Sequence, residues 1–354
     1  MAQHVSQSKG YRNLTLSQIV GMSEEEAWKF FAISRWGSTN IMPCPECGVM
    51  GQHYWRRTRR QWQCKHCFRV FSVTSDTPFS GRRLSFKCLL TLIYLHASSP
   101  KGLSSNWVAS QLGITFRSAF QNLGKIRETI FQTQDLSQLT GVVHVDGGHF
   151  CGKPRRPRRR TKMTSTIANN ILRNRKASIV PPKRGMTIEP WNKEKLKKRR
   201  IVIALREATP CGRMIIAVVA AETQQHVIPV IRKYVASGAT IQSDDSGAYS
   251  PLSIWYNHQV VRHSTEYCTN DGVNNNFAEN YFSRLRRGEF GVHHGMRPQY
   301  LAFYSAEFAW RETVRRLSLK EKFTNLLKKA LSCDISRAWR GYAQGKRLGF
   351  EYMG

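Results

Sequence analysis

Three acidic residues stand where a carboxylate is costly unless it has chemistry to do. Asp146 falls inside GVVHVDGGHF (141–150), a strongly β-forming run that reads as a strand. A buried-type strand tolerates an aspartate only if the charge is paired or bound to a cation. The chain holds only seven aspartates, which singles this one out. Asp244 follows a second short strand expected over 240–243, with Asp245 as the alternative if that strand ends one residue later. Glu279 lies in NNNFAENYFSRLR (274–286), whose apolar side, Phe277, Tyr281 and Phe282, predicts a helix. Glu279 and Arg286 are two turns apart and share a face. A solvated amphipathic helix would show the same local pattern, and it is the two strand-borne aspartates that turn the reading toward chemistry. Three such carboxylates hold two hard divalent cations, magnesium or manganese, about 3.5–4 Å apart, and these clamp the attacking and leaving oxygens of an in-line phosphoryl displacement. That chemistry needs no covalent protein nucleophile, and Arg286 would hold a phosphate oxygen.

A second group of ligands is more local. Cys44-Pro-Glu-Cys47-Gly48 and Cys64-Lys-His-Cys67-Phe68 are two CxxC knuckles with sixteen residues between them. Each tight turn directs two thiolates at one point, so Cys44, Cys47, Cys64 and Cys67 predict a structural zinc site closed by four sulfurs. A redox dithiol is the competing use of such pairs, and His53 and His66 are expected to be bystanders. Between the knuckles, HYWRRTRRQWQ alternates aromatics and arginines as in a short hairpin. Arg56, Arg57, Arg59 and Arg60 make it a candidate DNA-binding surface.

These ligands need a scaffold, and the chain provides one. With 354 residues and 41% hydrophobic content it can bury two or three cores. Its formal net charge of +32 calls for a polyanionic partner, and double-stranded DNA fits best. No basic amphipathic helix with a clean apolar face suggests a membrane surface. MAQHVSQSKG has no signal-peptide core, and the apolar runs at 88–97 and 214–221 are too short to span a bilayer. Nine cysteines, an odd number, suit reduced thiols and a metal site in the cytoplasm better than a disulfide framework.

Taken in order, residues 1–40 read as an N-terminal helical lead, with Ser23 before three glutamates as a helix start. The ribbon occupies 41–80. Region 81–135 reads as helices at 86–96, 103–113 and 115–131, the last two a helix-turn-helix that would carry Arg117 and Lys125 on its second helix. Residues 138–315 form the largest unit. Two strands over 200–221, turning at Thr209-Pro-Cys-Gly212, join the 141–150 strand in an antiparallel set. A helix at 224–236, the 240–243 strand, a strand at 259–263 and a helix from 298 follow. The order β-β-β-α-β-α with a further strand is that of an α/β, ribonuclease-H-like mixed sheet flanked by helices. Inserted at 153–200 is a stretch with 18 lysines and arginines and no apolar period, expected to lie along phosphates. Residues 316–354 read as a basic, helical C-terminal tail.

On these residues the chain resembles the bacterial insertion-sequence transposases of the zinc-ribbon DDE kind, the ISXO-type branch, from about Cys44 to Arg311. The motifs that carry the resemblance are the ribbon ending in FRVFSVTSDTPF, then VHVDGGHFCGK, SDDSGAY, NNFAENYFSRLRRGEFGVHH and EFAWR. The resemblance implies Asp146, Asp244 and Glu279 as the catalytic acids, with Asn276, Arg286, Arg287 and His294 near the DNA. One departure is Gly147, where that family often has a glutamate directly after the first aspartate. The resemblance further implies a cytoplasmic, nucleoid-associated enzyme that acts as a dimer or larger assembly. Such an enzyme binds the terminal inverted repeats of its element, cuts DNA at the element ends and joins them to target DNA. A non-catalytic zinc-ribbon regulator, or a transposase that has lost its chemistry, is the alternative from another class, and a plain metal-dependent nuclease is a third. The intact acid trio and the N-terminal DNA-binding units favour the transposase.

Overall fold

The computed structural model describes residues 8–51, 53–151, 197–261, 273–349 and 351–353. Most of the basic insertion, with Gly152 and Lys153, lies outside the described residues. The lead is two capped helices, α1 (Leu16–Gly21) and α2 (Glu24–Trp36). Thr15 and Ser23 each close a capping box with the side chain three residues on, which satisfies amides that the first turn leaves free. A three-stranded antiparallel ribbon follows: β1 (His53–Arg56), β2 (Gln61–Cys64) and β3 (Val70–Phe71). It does not stand alone, because Trp28 of α2 lies 5.2 Å from Trp55 and 5.6 Å from Trp62. Next come α3 (Phe86–Ser98), α4 (Ser105–Leu112) and α5 (Phe116–Gln132). The turn between α4 and α5 is made by Gly113 at φ 61°, a left-handed conformation that costs glycine little, and Thr115 caps the second helix.

The large unit is a five-stranded mixed sheet. Its strands are β4 (Val142–Phe150), β5 (Arg200–Glu207), β6 (Met214–Val219), β7 (Thr240–Asp244) and β8 (Asn257–Val261), in the spatial order β6-β5-β4-β7-β8. The first three are antiparallel, and β7 and β8 run parallel to β4. The parallel step from β6 to β7 is made by α6 (Gln224–Tyr234), as a crossover requires. After β8 come α7 (Asn276–Gly288), α8 (Pro298–Thr313) and α9 (Leu319–Ser332). This is the expected ribonuclease-H-like arrangement of a mixed sheet flanked by helices, behind a zinc ribbon. The last strand pairs two residues earlier than its β-branched residues suggest, in register with β7.

Alternation along β4 and β5 divides the interior. Val143, Val145, Ile203 and Leu205 face α6 with Val227 and Ile231. Phe150, Val202 and Ala204 face the other way, into a core that continues through α7–α9, α3–α5, the ribbon and α2. The ribbon, the helix-turn-helix and the sheet are therefore built on one continuous core. A buried ionic network crosses the same junction. Glu307 of α8 receives Arg127 of α5 and Arg311 at 2.6 Å each, with His96 of α3 at 3.7 Å. Glu312 similarly receives Arg206 of β5 at 3.1 Å and Arg284 of α7 at 2.8 Å. In the tail, the long helix ends at Ser332, and a single 3-10 turn follows at Tyr342–Gln344. Beyond Ser332 the chain folds back over α5, where Trp339 stacks on Tyr300 at 4.9 Å. Trp339 occupies the space above Gly124, whose added Cβ would sit 2.2 Å from the indole.

Candidate metal and DNA sites

Each acid is brought to the sheet edge by a different constraint. The parallel pairing of β4 with β7 sets Val145 opposite Ser243, so that Asp146 and Asp244 come side by side where β7 ends. Beyond that point, among the described residues, β4 pairs with β5 alone. The start of α7 is pinned there by Asn275, which is fully buried and whose Nδ2 donates to the Val145 carbonyl at 3.2 Å. Gly148 lets Phe282 of α7 lie against the strand, since an added Cβ would sit 2.4 Å from the ring. Glu279, in the first turn of α7, then falls within electrostatic reach of Asp146.

The electrostatics of this edge are those of carboxylates crowded on one another. Burial, then Asp244, and further Glu222 and Glu279, hold the Asp146 carboxyl up at about 7, against the opposing pull of the Gly147 amide 2.7 Å from its Oδ1. A hard divalent cation is the natural counter-charge for such a donor set, so the residues fit the metal. Asp244, whose Oδ1 accepts the Ser246 amide at 3.3 Å, is the aspartate that acts on Asp146, whereas Asp245 points outward and is exposed. Arg286 is exposed on the same helix as Glu279, its guanidinium 5.8 Å from the Phe282 ring centre, and its charge reaches His149 at the end of β4. Arg287 is exposed beside it.

The other two residues expected near the DNA, Asn276 and His294, are both exposed. Asn276 is exposed at the start of α7, and it is Asn275 that reaches the strand next to Asp146. Three consecutive asparagines hid this distinction, which burial alone decides. His294 does not join the acids. It is exposed, at φ 53°, and lines a separate cleft of about 490 Å³ with Trp107 and Leu103. One residue absent from the sequence reading lies beside Gly147 at this edge. Glu222, in the loop before α6, accepts the Tyr249 hydroxyl at 2.9 Å and lies 3.5 Å from His149 Nε2. Its one trace in the sequence is the glycine at 147.

The ribbon brings its ligands together as spaced. The ligand atoms of Cys44, Cys47, Cys64 and Cys67 all lie within 4.8 Å of one another, with Cys44 and Cys67 sulfurs 3.5 Å apart and Cys47 and Cys64 sulfurs 3.6 Å apart. The knuckles are built alike. The amides of Gly48 and Phe68 bond to the carbonyls of Cys44 and Cys64, at φ 73° and 61°. The crowded sulfurs titrate apart. Backbone amides of Cys67 and His66 hold the Cys64 thiol down at about 6, whereas the pull of the Arg69 amide on Cys67 is outweighed by burial and the neighbouring sulfurs, which push its thiol up to about 12, and the Cys47 thiol is also raised. A closed set of four thiolates fits a structural zinc ion. His53 instead contacts the Met42 carbonyl at 2.9 Å, and neither it nor His66 joins the cluster.

The basic residues flank two clefts. Arg57, Arg59 and Arg60 line one of about 840 Å³ with Trp55 and Arg82, although Arg60 also pairs with Glu24 at 3.6 Å. Arg56 is exposed on β1 and donates to Gln63 at 2.6 Å. The second cleft, about 630 Å³, carries Arg82, Arg83, Arg117, Lys125 and Arg340. Arg117 donates to the Ala343 carbonyl of the tail at 3.2 Å, and burial lowers the Lys125 ammonium below its usual range. Among the described residues no helix is long and apolar enough to cross a membrane.

A family profile for the ISXO2-like transposase domain matches residues 138–313, and a profile for the transposase zinc-ribbon domain matches residues 22–70. No curated protein and no solved structure matches the chain. The two profiles describe one family, cover more than half of the sequence between them, and coincide with the mixed sheet and the four-cysteine ribbon; the chain belongs to the IS1595 family of DDE transposases.

Proposed function

We propose that this protein is an active transposase that binds the terminal inverted repeats of its insertion sequence, cuts DNA at their ends and joins them to a target. The observation that carries this reading is the meeting of Asp146, Asp244 and Glu279, from two strands and a helix, at an edge where Asp146 feels both other acids. These three would hold two magnesium or manganese ions, which supply the electrophilic clamp for in-line displacement at phosphorus. The chain's own residues do the rest. Asn275 fixes the first turn of α7 to β4 and so holds Glu279 to Asp146. Arg286 and Arg287, exposed on the outer side of α7, would take phosphate oxygens, with Asn276 at the open start of the helix. The arginines of the ribbon (Arg56, Arg57, Arg59, Arg60) together with Arg117 and Lys125 would position the repeat. His294, on its separate cleft, would touch DNA away from the reacting phosphate. Pairing two element ends calls for at least a dimer on DNA, in the bacterial cytoplasm at the nucleoid.

The test is to incubate the protein and an Asp146→Ala variant with DNA carrying its own gene's flanking repeats, with magnesium or manganese, and to map the nicks. Metal-dependent cuts at the repeat ends, absent in the variant, are expected. Tight repeat binding without cuts under either metal would favour a DNA-binding regulator. Affinity should also fall steeply with salt, because the basic residues displace condensed counterions.

A further inference from the structure

Residues 147 and 148 point to opposite faces of the sheet, as neighbours on a strand must. The missing side chain of Gly148 faces Phe282 of α7. That of Gly147 faces the other side, where an added Cβ would sit 2.2 Å from Glu222 Oε1 and 3.0 Å from the Tyr249 hydroxyl. The carboxylate of Glu222 thus occupies the volume that any side chain at 147 would need. It is held there. Tyr249, fully buried, donates its hydroxyl to Oε1 at 2.9 Å, and His149 Nε2 stands 3.5 Å from Oε2. Glu222 and Glu279 both bear on Asp146, from the α6 and α7 faces respectively.

We propose that Glu222 is a fourth acidic residue of the metal site, reaching Asp146 from the α6 face through the space that Gly147 leaves open. The inference rests on reading Asp146, Asp244 and Glu279 as a cation site, and extends it. Crowding another carboxylate against Asp146 is unfavourable in the absence of a counter-charge. Four carboxylates match the charge of two divalent cations, where three fall short by one.

A structural role is the competing account, in which Glu222 only accepts the Tyr249 hydrogen bond. Glu222→Gln separates the two, because the amide oxygen keeps that bond and the volume while the charge is lost. The measurement is Mn²⁺ affinity of the full-length chain by electron paramagnetic resonance, alongside melting temperature. Glu222→Gln should weaken Mn²⁺ binding by about tenfold or more with its melting temperature kept, in the range found when residues supporting a metal site are lost. Gly147→Ala should weaken it similarly by displacing the carboxylate, and Gly147→Ala combined with Glu222→Ala should melt higher than Gly147→Ala alone. Unchanged Mn²⁺ affinity in Glu222→Gln, with affinity lost in Asp146→Ala, would overturn this inference and leave the proposed function standing. So would a lowered melting temperature without a change in affinity. Unchanged affinity in Asp146→Ala itself would remove the cation site and Glu222's role together.

Discussion

The cysteine cluster and the candidate acid site draw their residues from very different lengths of chain, and among the described residues only the cysteines bring their ligand atoms within 4.8 Å of one another. The four cysteines lie within residues 44–67, and each knuckle is closed by backbone hydrogen bonds inside its own turn. The acids come from positions 146, 222, 244 and 279, and are aligned by strand register, a buried asparagine and two missing side chains. The first can be drawn from spacing because it needs little beyond itself. The second exists only once the sheet has formed.

The largest effect expected from breaking this contrast is at the local site. Cys64→Ser should abolish stoichiometric zinc, measured by elemental analysis, and unfold the ribbon. Because Cys64, Trp62 and Phe71 belong to the core that continues into α7–α9, damage should spread beyond the ribbon and lower the melting temperature of the whole chain. A variant that kept a full complement of zinc would sink the assignment. At the distributed site, Glu279→Ala should reduce cleavage by about a thousandfold or more, the equivalent of roughly 4 kcal/mol of barrier. Repeat binding, read by gel shift, should hardly change. Equal loss of binding would make Glu279 structural.

The joint between the two regions gives two further tests. Glu307→Ala would strand Arg127 and Arg311 in the core without their counter-charge, costing about 3–5 kcal/mol of stability by denaturant titration. A cost near zero would mean that the helix-turn-helix and α8 are held by apolar packing alone. The remaining test concerns acid. Burial chiefly holds both His96 and His293 down at about 3, so each takes up a proton on unfolding once the pH falls below about 6.5. Stability should therefore decline as pH drops from about 6.5 toward 3, by up to about 1.4 kcal/mol per pH unit for each histidine. Glu307, held well below the usual carboxylate range in the same network, adds in the same direction. Melting temperatures across that range, with His96→Gln as comparison, would show a shallower slope for the variant if this is the cause.

Much of the site was legible because each motif carries its own local physics. An aspartate within a β-forming run, another at a strand end and a glutamate two turns before an arginine point to a cation and a phosphate before any fold is known. The helix-turn-helix was equally readable, since Gly113 and Thr115 stop one helix and start the next. Asn275 and His294 show the limit. Sequence offset does not reveal that Asn275 is the asparagine buried against β4, or that His294 lines a separate cleft.

The sequence by itself determined the four cysteines of the ribbon and most of the strands and helices, and it singled out three candidate acids, because these follow from residue type, period and short spacing. Only the tertiary structure decided which asparagine anchors α7, that the ribbon, the helix-turn-helix and the sheet share one core, and that Glu222 lies against Gly147. The physical reason is that each of these depends on contacts between elements tens to hundreds of residues apart. Such contacts are set by sheet register and packing, which no local pattern encodes.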